Sequence, residues 1–147
     1  CSAGKYSTGV AEVSEGTCEA CPGNSHSDVG SSVVTNCSCN RGYYGEDGES
    51  CLECEAGKYK GRNGSDACRV CSAGKYSTGV AEVSEGTCEA CPGNSHSDVG
   101  SSVVTNCSCN RGYYGEDGES CLECEAGKYK GRNGSDACRV CSAGKYS

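Results

Sequence analysis

Cysteines return along this chain in close doublets divided by long gaps, and no other feature limits the fold so severely. In the first 70 residues they stand at 1, 18, 21, 37, 39, 51, 54 and 68, and Cys71 opens the same series again. The long gaps hold 16, 15, 11 and 13 residues; the short ones hold two, one, two and two. Cysteines so close in sequence rarely bridge each other without strain, because a disulfide needs a Cα separation of about 4.4–6.8 Å and a torsion near 90°. The members of a doublet therefore look in opposite directions along the chain.

Residues 71–140 copy residues 1–70 letter for letter, and 141–147 repeat the opening CSAGKYS a third time. The domain reading follows: one cysteine-rich unit at 1–70, an identical unit at 71–140, and the start of a third at 141–147. With no Met in the chain, the sequence reads as a window on a longer array. Cys141, the seventeenth cysteine, is then unpaired by truncation.

A shorter repeat lies inside the 70-residue one. From their first cysteines the long segments read CSAGKYS, CPGNSHS, CNRGYYG and CEAGKYK. A ring stands five residues after each cysteine (Tyr6, His26, Tyr44, Tyr59, and the copies Tyr76, His96, Tyr114, Tyr129), with Gly4, Gly23, Gly42 and Gly57 two or three residues after it. If each segment is autonomous, pairing is sequential: Cys1–Cys18, Cys21–Cys37, Cys39–Cys51 and Cys54–Cys68, then Cys71–Cys88, Cys91–Cys107, Cys109–Cys121 and Cys124–Cys138. Spacing alone does not exclude other connectivities. Each such closure is worth about 3 kcal/mol in the chain-entropy model.

The unit has no Trp, Phe, Met or Ile and a single Leu, Leu52, so a conventional apolar core is hard to build. Cysteine-dense chains of this kind are secreted or cell-surface scaffolds. The net charge of −7 argues against nucleic acid and anionic membrane as partners. No apolar run approaches the ~18 residues of a membrane span. The fold class read from these features is a small disulfide-rich protein: an elongated tandem array of short β-ribbon mini-modules with almost no helix. SSVVT (31–35) and GKYS have strand composition, while EDGES (46–50) and RNGSD (62–66) read as tight turns.

The stretch CEACPGNSHSDVGSSVVTNCSCNRGYYGEDGESC (18–51), with its flanking C-x-A-G-x-Y segments, resembles the cysteine-rich, EGF-like region of Eph receptors, and loosely the tumour-necrosis-factor-receptor modules. The resemblance covers the whole unit. It implies a secreted or cell-surface rod and, from the C-terminal half of an EGF-like module, the pair Cys39–Cys51. A strict EGF-like module would cross its first four cysteines, as Cys1–Cys21 and Cys18–Cys37; the inner repeat favours the sequential set.

Other chemistries read weakly. Cys51, Cys54, Cys68 and Cys71 approach a zinc-ribbon spacing, but the other cysteines make no second quartet. A catalytic thiolate needs a neighbouring base, and His26 and His96 stand where sister segments carry Tyr. Glu46, Asp47 and Glu49 lack a calcium-loop pattern. The reading is therefore no enzyme, no metal and no cofactor, with the rings packing against their own modules. Asn63 and Asn133 (Asn-Gly-Ser), and less favourably Asn36 and Asn106 (Asn-Cys-Ser), are N-glycosylation acceptors in a secreted chain, and the Ser/Thr clusters are open to O-glycans. The expected function is a structural subunit of an extracellular fibre or stalk, packing with itself; the alternative is a receptor or adhesion ectodomain with spacer or ligand-binding modules.

Overall fold

In the computed structural model, which describes residues 1–12 and 14–146, every long gap closes on itself. The disulfides run Cys1–Cys18, Cys21–Cys37, Cys39–Cys51 and Cys54–Cys68, then Cys71–Cys88, Cys91–Cys107, Cys109–Cys121 and Cys124–Cys138, with Cα separations from 5.6 to 5.9 Å. The crossed pairs Cys1–Cys21 and Cys18–Cys37 do not form. Eight loops result, numbered 1 to 8 here in chain order, and Cys141 carries a free thiol.

Each loop is a ribbon of two residues against two. Lys5–Tyr6 pairs antiparallel with Glu19–Ala20, Ser25–His26 with Ser38–Cys39, Tyr43–Tyr44 with Leu52–Glu53, and Lys58–Tyr59 with Arg69–Val70. The second unit repeats all four pairings. The return strand is made of the residues inside or beside the doublet. Side chains alternate along a strand, so in C-x-x-C one cysteine faces back to close its loop and the other faces forward to open the next.

No α-helix occurs among the described residues; helical structure is confined to 3-10 turns of three residues each, such as Glu15–Thr17 and Val34–Asn36. The second of these corrects the strand expected at 31–35. There only Ser31 pairs, as a lone bridge to Tyr6. The Asn36 side-chain oxygen accepts the amides of Ser32 (3.0 Å) and Val33 (3.2 Å), and that local bonding competes successfully with the β preference of Val-Val-Thr.

The loops dock through a recurring backbone bracket. The third residue after each opening cysteine is left-handed: Gly4 (φ 82), Asn24 (φ 62), Gly42 (φ 83) and Gly57 (φ 84). In loop 2 the position therefore belongs to Asn24 rather than to Gly23, and Asn is a residue that tolerates this region. The amide of the bracket residue donates to the carbonyl six residues past the next opening cysteine: Gly4 to Ser27 (2.9 Å), Gly42 to Lys60 (3.0 Å), Gly57 to Ser77 (2.8 Å) and Gly74 to Ser97 (2.9 Å). Its carbonyl accepts from Cys21 (3.0 Å), Cys54 (2.8 Å), Cys71 (2.8 Å) and Cys91 (2.9 Å) in turn. At the C-x-C doublet the register moves by one residue, and Asn40 donates to Asn24 instead (2.9 Å).

Cystine is the core. Among the described residues the buried apolar ones are all cysteines, while Val10 and Leu52 stand 91% and 62% exposed. The total accessible surface is 8742 Å², against about 7,000 Å² for a compact protein of this mass. The excess is the mark of small loops set in series.

Gly42 and Gly112 offer a test of docking between units. They share sequence and conformation (φ 83 and 84), yet a Cβ on Gly42 would lie 2.4 Å from the Ala81 carbonyl oxygen, and one on Gly112 meets nothing within 4 Å. Gly112→Ala should cost only the left-handed strain of about 1–2 kcal/mol. Gly42→Ala should cost more and should deprotect the Ala81 amide in hydrogen exchange; equal losses would mean that the two units do not touch there.

Candidate interaction surfaces at the loop junctions

The position following each ring, six residues beyond the opening cysteine, is the most buried polar position of the repeat. Ser27, Lys60, Ser77, Ser97 and Lys130 are each at most 6% exposed. Ser27 donates its hydroxyl to the Lys5 carbonyl (2.9 Å) while its own carbonyl accepts from Gly4. A small hydroxyl suits a gap between two backbones.

Lys60 is the outlier. Its ammonium donates to the carbonyls of Tyr43 (2.8 Å) and Gly64, its amide donates to Glu82 of the next unit (2.9 Å), and its carbonyl accepts from Gly42. One residue thus ties loops 3, 4 and 5. Burial pushes its pKa below the usual lysine range; Asp66 opposes that shift, Arg62 adds to it, and Asp47 opposes it more weakly. Composition hid this residue, since a Lys set between Lys58 and Arg62 in a Gly-containing segment reads as part of a solvated basic run. The available signal was the departure from Ser or Gly after the ring in the other three segments.

The rings lie beside these junctions. Tyr6, His26, Tyr44, Tyr59, Tyr76, His96 and Tyr114 are half-buried, and Tyr129 is 48% exposed. The Tyr6 hydroxyl donates to Glu19 (2.8 Å) and Tyr76 to Glu89 (2.8 Å), and these bonds raise both phenols above the usual tyrosine range. The Nδ1 of His26 sits 2.7 Å from the Asn40 side-chain oxygen, and that of His96 sits 2.8 Å from Asn110. Each imidazole is thereby tied to the loop that follows. Ser2 holds the Glu15 carboxyl below its ordinary range through its hydroxyl and amide, with Lys5 3.8 Å away.

Between loops 3 and 4 runs an open groove edged by Tyr44, Glu46, Asp47 and Asp66, repeated as Tyr114, Glu116, Asp117 and Asp136. Asp66 and Asp136 are partly neutralised by Arg62 and Arg132, each at 2.8 Å. Among the described residues no three His, Cys, Asp or Glu side chains converge as metal ligands would. Cys51, Cys54, Cys68 and Cys71 are divided among three disulfides. All four sequon asparagines are exposed. Asn63 accepts the Arg41 amide (2.9 Å) and Asn133 the Arg111 amide (3.0 Å), which clips loop 4 to loop 3 and loop 8 to loop 7.

A tandem array of disulfide-closed hairpins is an extracellular-type module, since cystine at this density forms and persists in oxidising compartments. Among curated proteins the chain is similar to Ephrin type-B receptor 3 of Xenopus laevis, at 36% identity over 89 residues. The match takes in 59% of this chain and spans 7% of the receptor's length. No family model matches the chain. Among the described residues no helix is long and apolar enough to cross a membrane.

Two titrations check the junction chemistry. Lys60→Met keeps the apolar stem and removes the donors to two carbonyls, so it should lose about 1–3 kcal/mol in denaturant melts. Because the folded pKa of Lys60 lies below the unfolded one, the unfolded chain binds more protons between the two. The wild type's advantage should therefore grow as pH rises through that window towards about 10.4. The comparison is made with the Cys141 thiol alkylated; an advantage that shrinks with pH would show an ammonium stabilised rather than penalised by its site. Separately, removing both acceptors as Glu19→Ala and Glu89→Ala should bring two of the nine tyrosines to lower pH in a 295-nm titration. An unchanged curve would mean that neither pair persists in solution.

Proposed function

We propose that the chain is a segment of an extracellular fibre or stalk, a non-enzymatic rod lengthened by repetition of one disulfide-stapled unit. One observation carries this reading: the junction between units is built like the junctions inside a unit. Between loops 4 and 5, Gly57 donates to Ser77, Cys71 donates to Gly57, and Ala81 donates to Cys54 (2.9 Å). Between loops 1 and 2, Gly4 donates to Ser27, Cys21 donates to Gly4, and Gly30 donates to Cys1 (2.9 Å). The backbone bonding marks no boundary at residue 70. Each added copy then extends the rod by the same rotation and rise, as in other neighbour-only repeat architectures. Identical surfaces at a constant step are what open, helical self-packing requires, and glycans on the exposed Ser, Thr and Asn side chains would keep such a rod soluble and resistant to proteases.

The second reading, a receptor or adhesion ectodomain in which these modules space or bind a ligand, is favoured by the similarity to Ephrin type-B receptor 3. It also leaves room for distant kinship with EGF-like and tumour-necrosis-factor-receptor modules. Letter-for-letter identity of the two units weighs against it, because a binding site needs one particular surface and the rest of an array is free to drift.

Electron microscopy of the native material decides between them. Filaments are expected whose axial repeat matches the 70-residue unit. Isolated, unassembled molecules ending in a distinct head or a membrane anchor would overturn the fibre.

A further inference from the structure

We propose that each unit carries one N-linked glycan, on the Asn63 side chain and its copy Asn133, while the second sequon, at Asn36 and Asn106, stays bare. The proposal rests on the extracellular reading, since the modification is made in the secretory pathway. Exposure does not separate the two sequons, because all four asparagines are on the surface. Local geometry does.

Asn36 ends the 3-10 turn Val34–Asn36, and its oxygen is folded back onto the Ser32 and Val33 amides. The middle residue of its sequon, Cys37, is fully buried and bonded to Cys21. The third, Ser38, is paired in a strand opposite His26. All three residues are committed to the fold. Synthesis order reinforces this: Cys21 precedes Asn36, so the bond that locks the sequon can close as soon as Cys37 emerges.

The Asn63 oxygen also accepts a backbone amide, that of Arg41, but the rest of its sequon differs. It lies in the irregular stretch between Lys58–Tyr59 and Arg69–Val70, with Asn63 and Ser65 both exposed. Gly64, at φ 137, occupies a region open essentially to glycine, and the bonds that hold it, from its amide to the Cys39 carbonyl and from the Lys60 ammonium to its carbonyl, form only once loop 4 has folded onto loop 3. The loop is closed by Cys68, which emerges after the sequon, so the acceptor is presented before its loop is stapled.

The chemistry also leaves the junction intact. In the transfer, Asn63 Nδ2 forms a bond to the anomeric carbon of a lipid-diphosphate-linked oligosaccharide. The carbon–oxygen bond to the diphosphate breaks, its electron pair leaves with the lipid diphosphate, and Nδ2 gives up one proton. Oδ1 is untouched, and Oδ1 is the atom that accepts the Arg41 amide at 2.9 Å. The sugar would therefore stand at the rim of the acidic groove, beside Ser65 and Asp66, while loop 4 remains clipped to loop 3.

The test is secretion of the full 147-residue chain from a eukaryotic host behind a cleavable signal, followed by intact-mass measurement. Two glycans are expected. Both should be released by peptide N-glycosidase in heavy-oxygen water, with the label on the Asn63/Asn133 peptide and not on the Asn36/Asn106 peptide. Ser65→Ala should leave one glycan and Ser65→Ala with Ser135→Ala none. Melting of the double variant, in which Asn63 keeps its clip to Arg41, should match that of the wild-type chain folded with its disulfides in a host that adds no N-glycan, because enzymatic release would leave Asp at 63 and 133. A secreted, fully disulfide-bonded chain with bare Asn63 and Asn133, or with label on Asn36 and Asn106, overturns the proposal and spares the extracellular reading. Retention in the cell with eight free thiols per unit overturns the extracellular reading and the proposal with it.

Discussion

A ribbon of two residues against two cannot hold itself together in water, and the described residues form no larger sheet. The cystine that closes each loop does that work. By restricting the unfolded chain it contributes about 3 kcal/mol per loop of this length in the chain-entropy model, and by filling the loop's centre it replaces the apolar core that the composition denies. The bonds are sequential, so no loop depends on a distant one for closure. Extended shape, exposed aliphatic residues and sparse secondary structure all follow from that arrangement.

Closure alone would leave beads on a string. The left-handed residue three positions after each opening cysteine supplies the order between beads. A backbone turned through φ near 80 presents both its amide and its carbonyl to the following loop, as at Gly57 with Ser77 and Cys71. Because these are backbone bonds, they tolerate four different loop sequences while keeping one bracket pattern, shifted by a residue only at the C-x-C doublet. Lys60 strengthens a single junction in each unit with a buried ammonium, and the link reaches the next unit through Glu82.

Much of this was legible in the sequence. The doublets set the direction of every cysteine, the inner repeat pointed to sequential pairing, and the absence of large apolar residues pointed to short ribbons without helix. These features are local: they depend on spacings of one to about 17 residues and on the geometry of a single covalent bond. The exposed turn at the Asn63 sequon was legible for the same reason. Where local cues competed, the sequence misled. Ser31 to Thr35 has strand composition, yet Asn36 bends it into a 3-10 turn by bonding its own backbone.

The tertiary structure alone decided which polar groups are buried. KYK, read beside KYS and SHS, marks position 60 as a departure from the other segments but does not say that Lys60 is enclosed while Lys58 is not. The distinction arises because residue 60 lies where the carbonyls of Tyr43 and Gly64 and the backbone of the next unit converge. Likewise Asn24, not Gly23, takes the bracket position, and Asn63 reaches Arg41 across a junction of 22 residues. The sequence by itself determined where the cysteines stand and favoured sequential pairing, because spacing is written in chain order; the structure closed the crossed alternative. How one loop seats on the next depends on atoms that meet only once the loops have closed.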